Sequence, residues 1–315
     1  MAKPKIKLFA GTSHPALAKQ ISKLLKIPLS PMHIQRFACN EIYTKPSESV
    51  RDADVFIIQT GTQNVNEDLM ELFIMLDSFK RSFASTVHVV MPHFPYARQD
   101  RVASPREPIT AKLIADLLSK AGADHLITFT LHSDQEQGFF DFPVDNLTAR
   151  KLFAEYFNKK KFKKAPVIVA PDVGSAKEAD RLAKMLGADL AILNKIRPKH
   201  NVAEVTHVVG DVKGRDCILY DDMVDTGGSV VGGANVLRKS GANSDIYLAA
   251  THAVLSRDAA EKLKSADFKE IVFTDTIPIP KEKQLKNMKI ISVAPLLSRV
   301  VDHVHTGKAL SHLHA

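Results

Sequence analysis

Short apolar runs rich in β-branched residues alternate along this chain with amphipathic stretches of helical length, and that alternation decides the class of fold. Ile6–Ala10, Val55–Thr60, Val87–Met91 and Leu126–Thr130 read as buried strands. Between them, His14–Leu25, Asn66–Phe79 and Thr110–Lys120 carry apolar residues at helical spacing. The second half keeps the rhythm. Val167–Ala170, Leu190–Leu193, Cys217–Tyr220, Ile246–Ala250, Ile271–Phe273 and Ile290–Val293 are predicted strands, and Ser175–Leu186, Ser229–Lys239 and Arg257–Leu263 predicted helices. Strands separated by helices pair in parallel, so the expected class is α/β, with mainly parallel sheets flanked by helices. A chain of 315 residues has room for two such units. The basic, proline-ended stretch Asn158–Pro166 reads as the linker between halves of similar pattern.

Composition excludes some classes. No apolar run approaches the roughly 20 residues needed to span a bilayer, and the N-terminal residues read as a strand rather than a signal peptide. Cys39 and Cys217 fit no zinc or CxxC spacing, which suits a reducing cytoplasm. The formal net charge of +8 suits nucleic acid and small polyphosphates equally. The basic residues are spread out, apart from Lys159–Lys161 with Lys163 and Lys164, which reads as a solvated helix end. His303, His305, His312 and His314 are expected to be ordinary surface histidines rather than metal ligands.

The strongest chemical signal is Cys217–Ser229. Four largely apolar residues form a strand, and Asp221 and Asp222 follow at its C-terminal end, where α/β sheets place ligands. Asp225-Thr226-Gly227-Gly228-Ser229 then opens into a helix. The glycines let the backbone fold tightly, so that amides, two hydroxyls and the helix N-terminus can converge on one anion. The acids can accept hydrogen bonds from sugar hydroxyls beside it, and a phosphorylated ribose satisfies both halves. A capping turn alone would not call for two acids. There is no G-x-x-x-x-G-K-[ST] and no G-x-G-x-x-G, which argues against a Walker-type ATPase, a Rossmann dehydrogenase or a protein kinase.

Three more polar clusters follow predicted strands. In Pro95–Arg101, Arg98 can supply a rigid donor fork and Gln99 can hydrogen-bond a base or ribose. His132 sits among polar residues in Leu131–Phe140, and Asp172 ends the strand before Gly174. Asp172 could cap the helix Ser175–Leu186, serve a hard cation, or do both. The segment Lys195–Asn201 is basic, polar and interrupted by Pro198, and reads as an exposed loop or a mobile lid between two strands.

Cys217–Ser229 resembles the phosphoribosyl-diphosphate-binding signature of the phosphoribosyltransferase superfamily, which by itself leaves transferase, synthase and regulator open. Pro95–Arg101, Leu131–Phe140 and Pro171–Gly174, in that order, narrow the resemblance to the ribose-phosphate diphosphokinases, or phosphoribosyl diphosphate synthetases. The likeness runs essentially end to end. It implies two similar phosphoribosyltransferase-type domains, 1–148 and 149–315, with the last helix packing back on the first. It also implies diphosphate transfer from ATP to ribose 5-phosphate, Mg²⁺ as cofactor, and dimers that build a hexamer with active sites near subunit boundaries. No nucleic acid or membrane partner is expected.

Carried over by position, the resemblance assigns Arg98, Gln99 and His132 to ATP, His132 and Asp172 to the metal, and Lys195 and Arg197 to catalysis. Asp221, Asp222, Asp225, Thr226, Gly227, Gly228 and Ser229, with Arg197, fall to ribose 5-phosphate. Family members commonly carry Asp-Gly-Glu in an early hairpin that reaches a neighbouring subunit's adenine. Here Phe37 could stack on the base and Glu41 accept from its amino group, with Cys39 and Asn40 as substitutions. After Arg101 the family's basic, serine-containing stretch is replaced by Val102-Ala103-Ser104-Pro105-Arg106, which implies weakened or altered control by phosphate and ADP. An inactive regulatory relative, a salvage phosphoribosyltransferase and a nucleic-acid-binding regulator are the alternatives. The first should lack catalytic groups, the second needs a base-recognition hood, and the third a DNA-reading module.

Overall fold

The computed structural model describes residues 4–199, 202–311 and 313; His200, Asn201, His312 and His314 lie outside them. The chain divides into two units, one of residues 1–148, 276–278 and 292–315, the other of 149–275 and 279–291.

The first unit is built on a sheet of β1 (Ile6–Ala10), β4 (Asp54–Ile58), β5 (Thr86–Val90), β6 (His125–Phe129) and β7 (Val144–Leu147), side by side in that order and all parallel. The central strands are buried along their whole length, which is why they read as unbroken apolar runs. α1 (Pro15–Leu25) packs against α8 (Ala294–Thr306), and α2 (Val65–Arg81) against α3 (Thr110–Ala121). α1 starts on a proline, with the His14 ring accepting from the Leu17 amide at 3.3 Å, and α3 stops at Gly122 in the left-handed region. A separate antiparallel hairpin pairs β2 (Met32–Arg36) with β3 (Ile42–Pro46). Sequence periodicity missed it because only one face, with Met32 and Ile34, meets the core.

The second unit carries α4 (Arg150–Phe157) and a seven-stranded sheet of order β10-β9-β8-β11-β12-β13-β14. Its strands are β8 (Val167–Ala170), β9 (Asp189–Lys199), β10 (Val202–Val209), β11 (Cys217–Val224), β12 (Ile246–Ala253), β13 (Glu270–Thr274) and β14 (Met288–Ile291). All pairs are parallel except β9–β10. α5 (Ala176–Leu186) follows β8, α6 (Gly228–Lys239) follows β11 and α7 (Ala259–Ser265) follows β12.

Four expectations are corrected here. Asn158–Pro166 lies inside the second unit, joining α4 to β8, because α4 belongs with the strands that follow it. Lys160 is no solvated charge: its Nζ lies 2.8 Å from Glu270, which also accepts from the Tyr156 hydroxyl at 2.5 Å. Residues 195–199 are strand rather than loop. β9 leaves β8 after Ile192 and continues to Lys199 as a two-stranded ribbon with β10, whose register slips twice. Polar residues and a proline are tolerated there because the ribbon extends beyond β8's last pair. Finally, His305 is half-buried, its Nδ1 2.6 Å from the buried carboxylate of Asp54.

Candidate active site

In the second sheet β8 leads to β9 on one side, whereas β11 leads to β12 on the other. The strand order therefore reverses between β8 and β11, and the carboxyl ends of those two neighbours flank the crevice in which open α/β sheets bind ligands. The first sheet runs β1-β4-β5-β6-β7 with no reversal. Topology alone thus singles out the turn after β8, with Asp172, and the end of β11, with Asp221 and Asp222.

The residues there pair a glycine-rich turn that opens α6 with a cluster of acids. Cys217–Tyr220 are buried, Asp221–Met223 partly exposed, and Val224 buried again before the chain turns. Gly227 caps α6 in the left-handed region at φ 75°, ψ −10°, a conformation that side chains resist. Thr226, Gly228 and Ser229 are exposed around it. The turn is braced from behind. Ser256 donates its amide to the Asp225 carbonyl, and Leu255 to that of Val224, both at 3.0 Å. The first amides of α6 and the hydroxyls of Thr226 and Ser229 remain on the exposed side.

Negative charge accumulates next to this electropositive end. Burial pushes the Asp221 carboxyl well above the usual range. The charge of Asp222, a hydrogen bond shared with it, and the charge of Asp172 push the same way. Asp222 accepts from the Met223 amide at 2.7 Å, and Asp221 from the Asp222 amide at 2.9 Å. Asp172 does not cap α5, whose N-cap is Ser175; it closes the turn before the helix, with Oδ1 accepting from the Ser175 amide at 3.1 Å while Ser175 donates its hydroxyl to the Asp172 carbonyl at 3.0 Å. Like charges that hold a proton between them are what a divalent cation relieves. Among the described residues no three ligand side chains form a ready-made metal cage. The carboxylate oxygens of Asp172, Asp221 and Asp222 are a donor set that suits a hard divalent cation.

The linkage has a sign. Asp221's elevated pKa means that ionising it costs folding stability, a cost that grows as pH rises from the ordinary carboxylate range toward the elevated value. Asp221→Asn is therefore expected to raise the melting temperature of the ligand-free protein at pH 8 and to flatten its decline with pH. Equal melting curves at every pH would show that the acids are not in conflict.

The first unit supplies the other predicted residues from the carboxyl ends of its own strands. After β5, Tyr96 is left-handed at φ 63° and its hydroxyl bonds Asn66. Arg98 and Gln99 follow, exposed. Gln99 accepts from the Thr110 hydroxyl at 2.5 Å and the Ala111 amide at 3.2 Å, so it ties its loop to the start of α3. Between them, the Glu107 carboxylate accepts the amides of Ala103 and Ser104 at 3.0 and 2.8 Å and closes the divergent loop on itself.

His132 follows β6, exposed, on a backbone gripped from both sides. The Leu131 amide donates to Asn146 Oδ1 on β7 at 3.1 Å. The Ser133 amide donates to the buried carboxylate of Glu136 at 2.8 Å, half of a capping box that opens the short 3₁₀ turn Asp134–Phe139. Thr130, a β-branched residue at φ 44°, stores strain just before it. Asn146 and Glu136 went unnoticed in the sequence. The Ser-x-x-Glu spacing could have announced Glu136; nothing local announces Asn146, which arrives through strand pairing. Asn146→Ala is expected to lower folding stability by about 1 kcal/mol, the cost of one hydrogen bond to a buried amide, as read by denaturant melts. An unchanged denaturation midpoint would deny this bond any structural weight.

At the hairpin tip Phe37 donates its amide to the Glu41 carbonyl, and Asn40 to that of Phe37, both at 2.9 Å. Asn40 is left-handed at φ 70°, a position that suits glycine or asparagine, and it shapes the turn. Phe37 is 46% exposed. With His33, Gln35, Tyr43, Lys45 and Ser47 it lines a shallow concavity of about 610 Å³ on the outer face of the hairpin.

Known proteins share this design along the whole chain. Residues 6–122 match the family described as the N-terminal domain of ribose phosphate pyrophosphokinase, and residues 193–315 the phosphoribosyl synthetase-associated domain. A ribose-phosphate pyrophosphokinase of Caldanaerobacter subterraneus is 47% identical over 308 residues, 98% of this chain and 97% of that one. One of Wolinella succinogenes is 48% identical over 307 residues, 98% of each chain. The crystal structure of phosphoribosylpyrophosphate synthetase from Mycobacterium smegmatis superposes with a TM-score of 0.91 at 41% identity, covering 96% of this chain and 99% of that one. The chain belongs to the ribose-phosphate pyrophosphokinase family, and its fold is that family's pair of phosphoribosyltransferase-type α/β domains.

Proposed function

We propose that this chain transfers the β,γ-diphosphate of ATP to the anomeric hydroxyl of ribose 5-phosphate, giving phosphoribosyl diphosphate and AMP for nucleotide biosynthesis. The observation that carries the reading is the reversal of strand order in the second sheet, where an anion cradle and three acids meet. Asp225–Ser229 hold the 5-phosphate through amides, hydroxyls and the end of α6. Asp221 and Asp222 take the ring hydroxyls as acceptors.

By the family resemblance, Asp172 is assigned to the metal and His132 to the nucleotide and its metal. Bound Mg²⁺ would neutralise polyphosphate oxygens. Arg98, Gln99, Phe37, Asn40 and Glu41 are assigned to ATP, Asn40 through the turn it shapes. Lys195 and Arg197 act on charge that develops as AMP leaves, and Arg197 also on the sugar phosphate. The chemistry demands alignment and charge compensation more than covalent help.

Activity in the cytoplasm as dimers that build a hexamer, with control by phosphate and ADP weakened at Val102–Arg106, completes the proposal. No helix among the described residues is long and apolar enough to cross a membrane.

The test is purified protein with Mg²⁺, ATP and ribose 5-phosphate. AMP should form only when the sugar phosphate is present. Inorganic phosphate released without AMP would replace this reading with a simple hydrolase.

A further inference from the structure

Away from the loops that carry the predicted residues, five side chains of the first unit form one chain of contacts with a buried centre. His305 Nδ1 on α8 lies 2.6 Å from Asp54 Oδ2 on β4. Asp54 Oδ1 lies 2.7 Å from His88 Nε2 on β5, and His88 Nδ1 lies 3.0 Å from Nδ1 of His125 on β6. His125 Nε2 lies 3.0 Å from Asp145 Oδ2 on β7. Asp54, His88 and His125 are all buried.

The contact between two nitrogens of the same kind fixes the proton count. Each histidine turns Nε2 to a carboxylate, so flipping either ring would put a carbon against an oxygen and lose that bond. Burial works against the charge of Asp54, but hydrogen bonds from His88 and His305 outweigh it and hold the carboxyl below its usual range. As an ionised acceptor it needs a proton on His88 Nε2, and the Asp145 carboxylate needs one on His125 Nε2. If both rings were neutral, two lone pairs would face each other across 3.0 Å; if both were cations, two N–H donors would. Only a single extra proton, between the Nδ1 atoms, completes every bond.

We infer that His88 and His125 share one buried proton and act together as a monocation, a proton-operated clasp across β4 to β7 that also holds the C-terminal helix through Asp54 and His305. The ring of Phe56 lies parallel to His88 with centroids 4.3 Å apart, which favours the charge on the His88 side. The ionisable groups facing the pair are Asp54 from β4, Asp145 from β7 and, through Asp54, His305 from α8.

A pH response follows from counting protons. With a single proton kept in the fold, as inferred, the proton counts of the folded and unfolded states diverge on either side of the range in which free imidazoles exchange theirs with solvent. The clasp is therefore strongest near neutrality and weakens on both sides, by up to about tenfold in the unfolding equilibrium constant per pH unit.

The direct test is NMR of the full-length protein labelled with ¹⁵N at histidine. His88 and His125 should each show a protonated Nε2, with one hydrogen shared by the two Nδ1 atoms and shifted far downfield. Two unprotonated Nδ1 atoms near neutral pH, or two fully protonated rings, would overturn the inference. A second measurement uses His125→Asn, whose carboxamide can turn either its donor or its acceptor toward His88 and removes the need for a shared proton. Between pH 7 and 9 the wild type should lose denaturant stability faster than this variant. Equal slopes would also overturn it, and if the variant does not fold the ¹⁵N spectrum of the wild type decides.

Discussion

Lys195→Ala is expected to lower kcat by roughly 100- to 1000-fold while the KM values for ATP and ribose 5-phosphate move far less. The split matters because a cation that meets charge only as it develops is stronger in the transition state than in the bound substrates. The position makes the assignment concrete. Lys195 and Arg197 stand two residues apart on β9, beyond the last residue that pairs with β8, on a ribbon that springs from the strand beside Asp172's. Steady-state kinetics at saturating Mg²⁺ read the outcome. A normal kcat would remove Lys195 from the mechanism, whereas a raised KM with normal kcat would make it an ordinary binding residue.

Gly227→Val should raise the KM for ribose 5-phosphate by about 10- to 100-fold, because a β-branched residue held at positive φ costs on the order of 1–3 kcal/mol. A methyl placed there would have the Ala259 carbonyl oxygen as its nearest neighbour, 3.5 Å away, so the penalty comes from backbone conformation rather than collision. Gly228 offers the contrast. A methyl at that position meets nothing nearer than Thr226 Oγ1 at 3.9 Å. Gly228→Ala should leave the empty protein's stability intact and weaken the sugar phosphate only if the anion comes against the helix backbone. The KM for ATP is the internal control, and a Gly227→Val enzyme with unaltered ribose 5-phosphate kinetics would empty the cradle of its proposed ligand.

The alternation of strands and helices was legible because most of these strands are buried between helices and therefore read as uninterrupted apolar runs. Ile6–Ala10 and Val167–Ala170 match the structure residue for residue. Periodicity gave neither the half-exposed β2–β3 hairpin, which only the family resemblance placed, nor the β9–β10 ribbon, whose polar sequence reads as loop. The cradle was visible as a local motif, since its glycines, hydroxyls and acids are contiguous. The reversal of strand order that gives it a crevice, and Asn146 behind His132, were not, because both arise from which strands become neighbours. His305 was misread for the same reason: its partner, Asp54, lies 251 residues away in sequence.

The route of the backbone carries one more consequence. The first unit is completed by residues 276–278 and by α8 from 292 onward, so the chain passes between units four times and its end belongs with its beginning. During synthesis the amino-terminal sheet must wait, with α1 lacking its helical neighbour, until nearly the entire polypeptide has left the ribosome. A chain truncated before α8 would leave the face of α1 that meets α8, and one carboxylate oxygen of Asp54, without those partners.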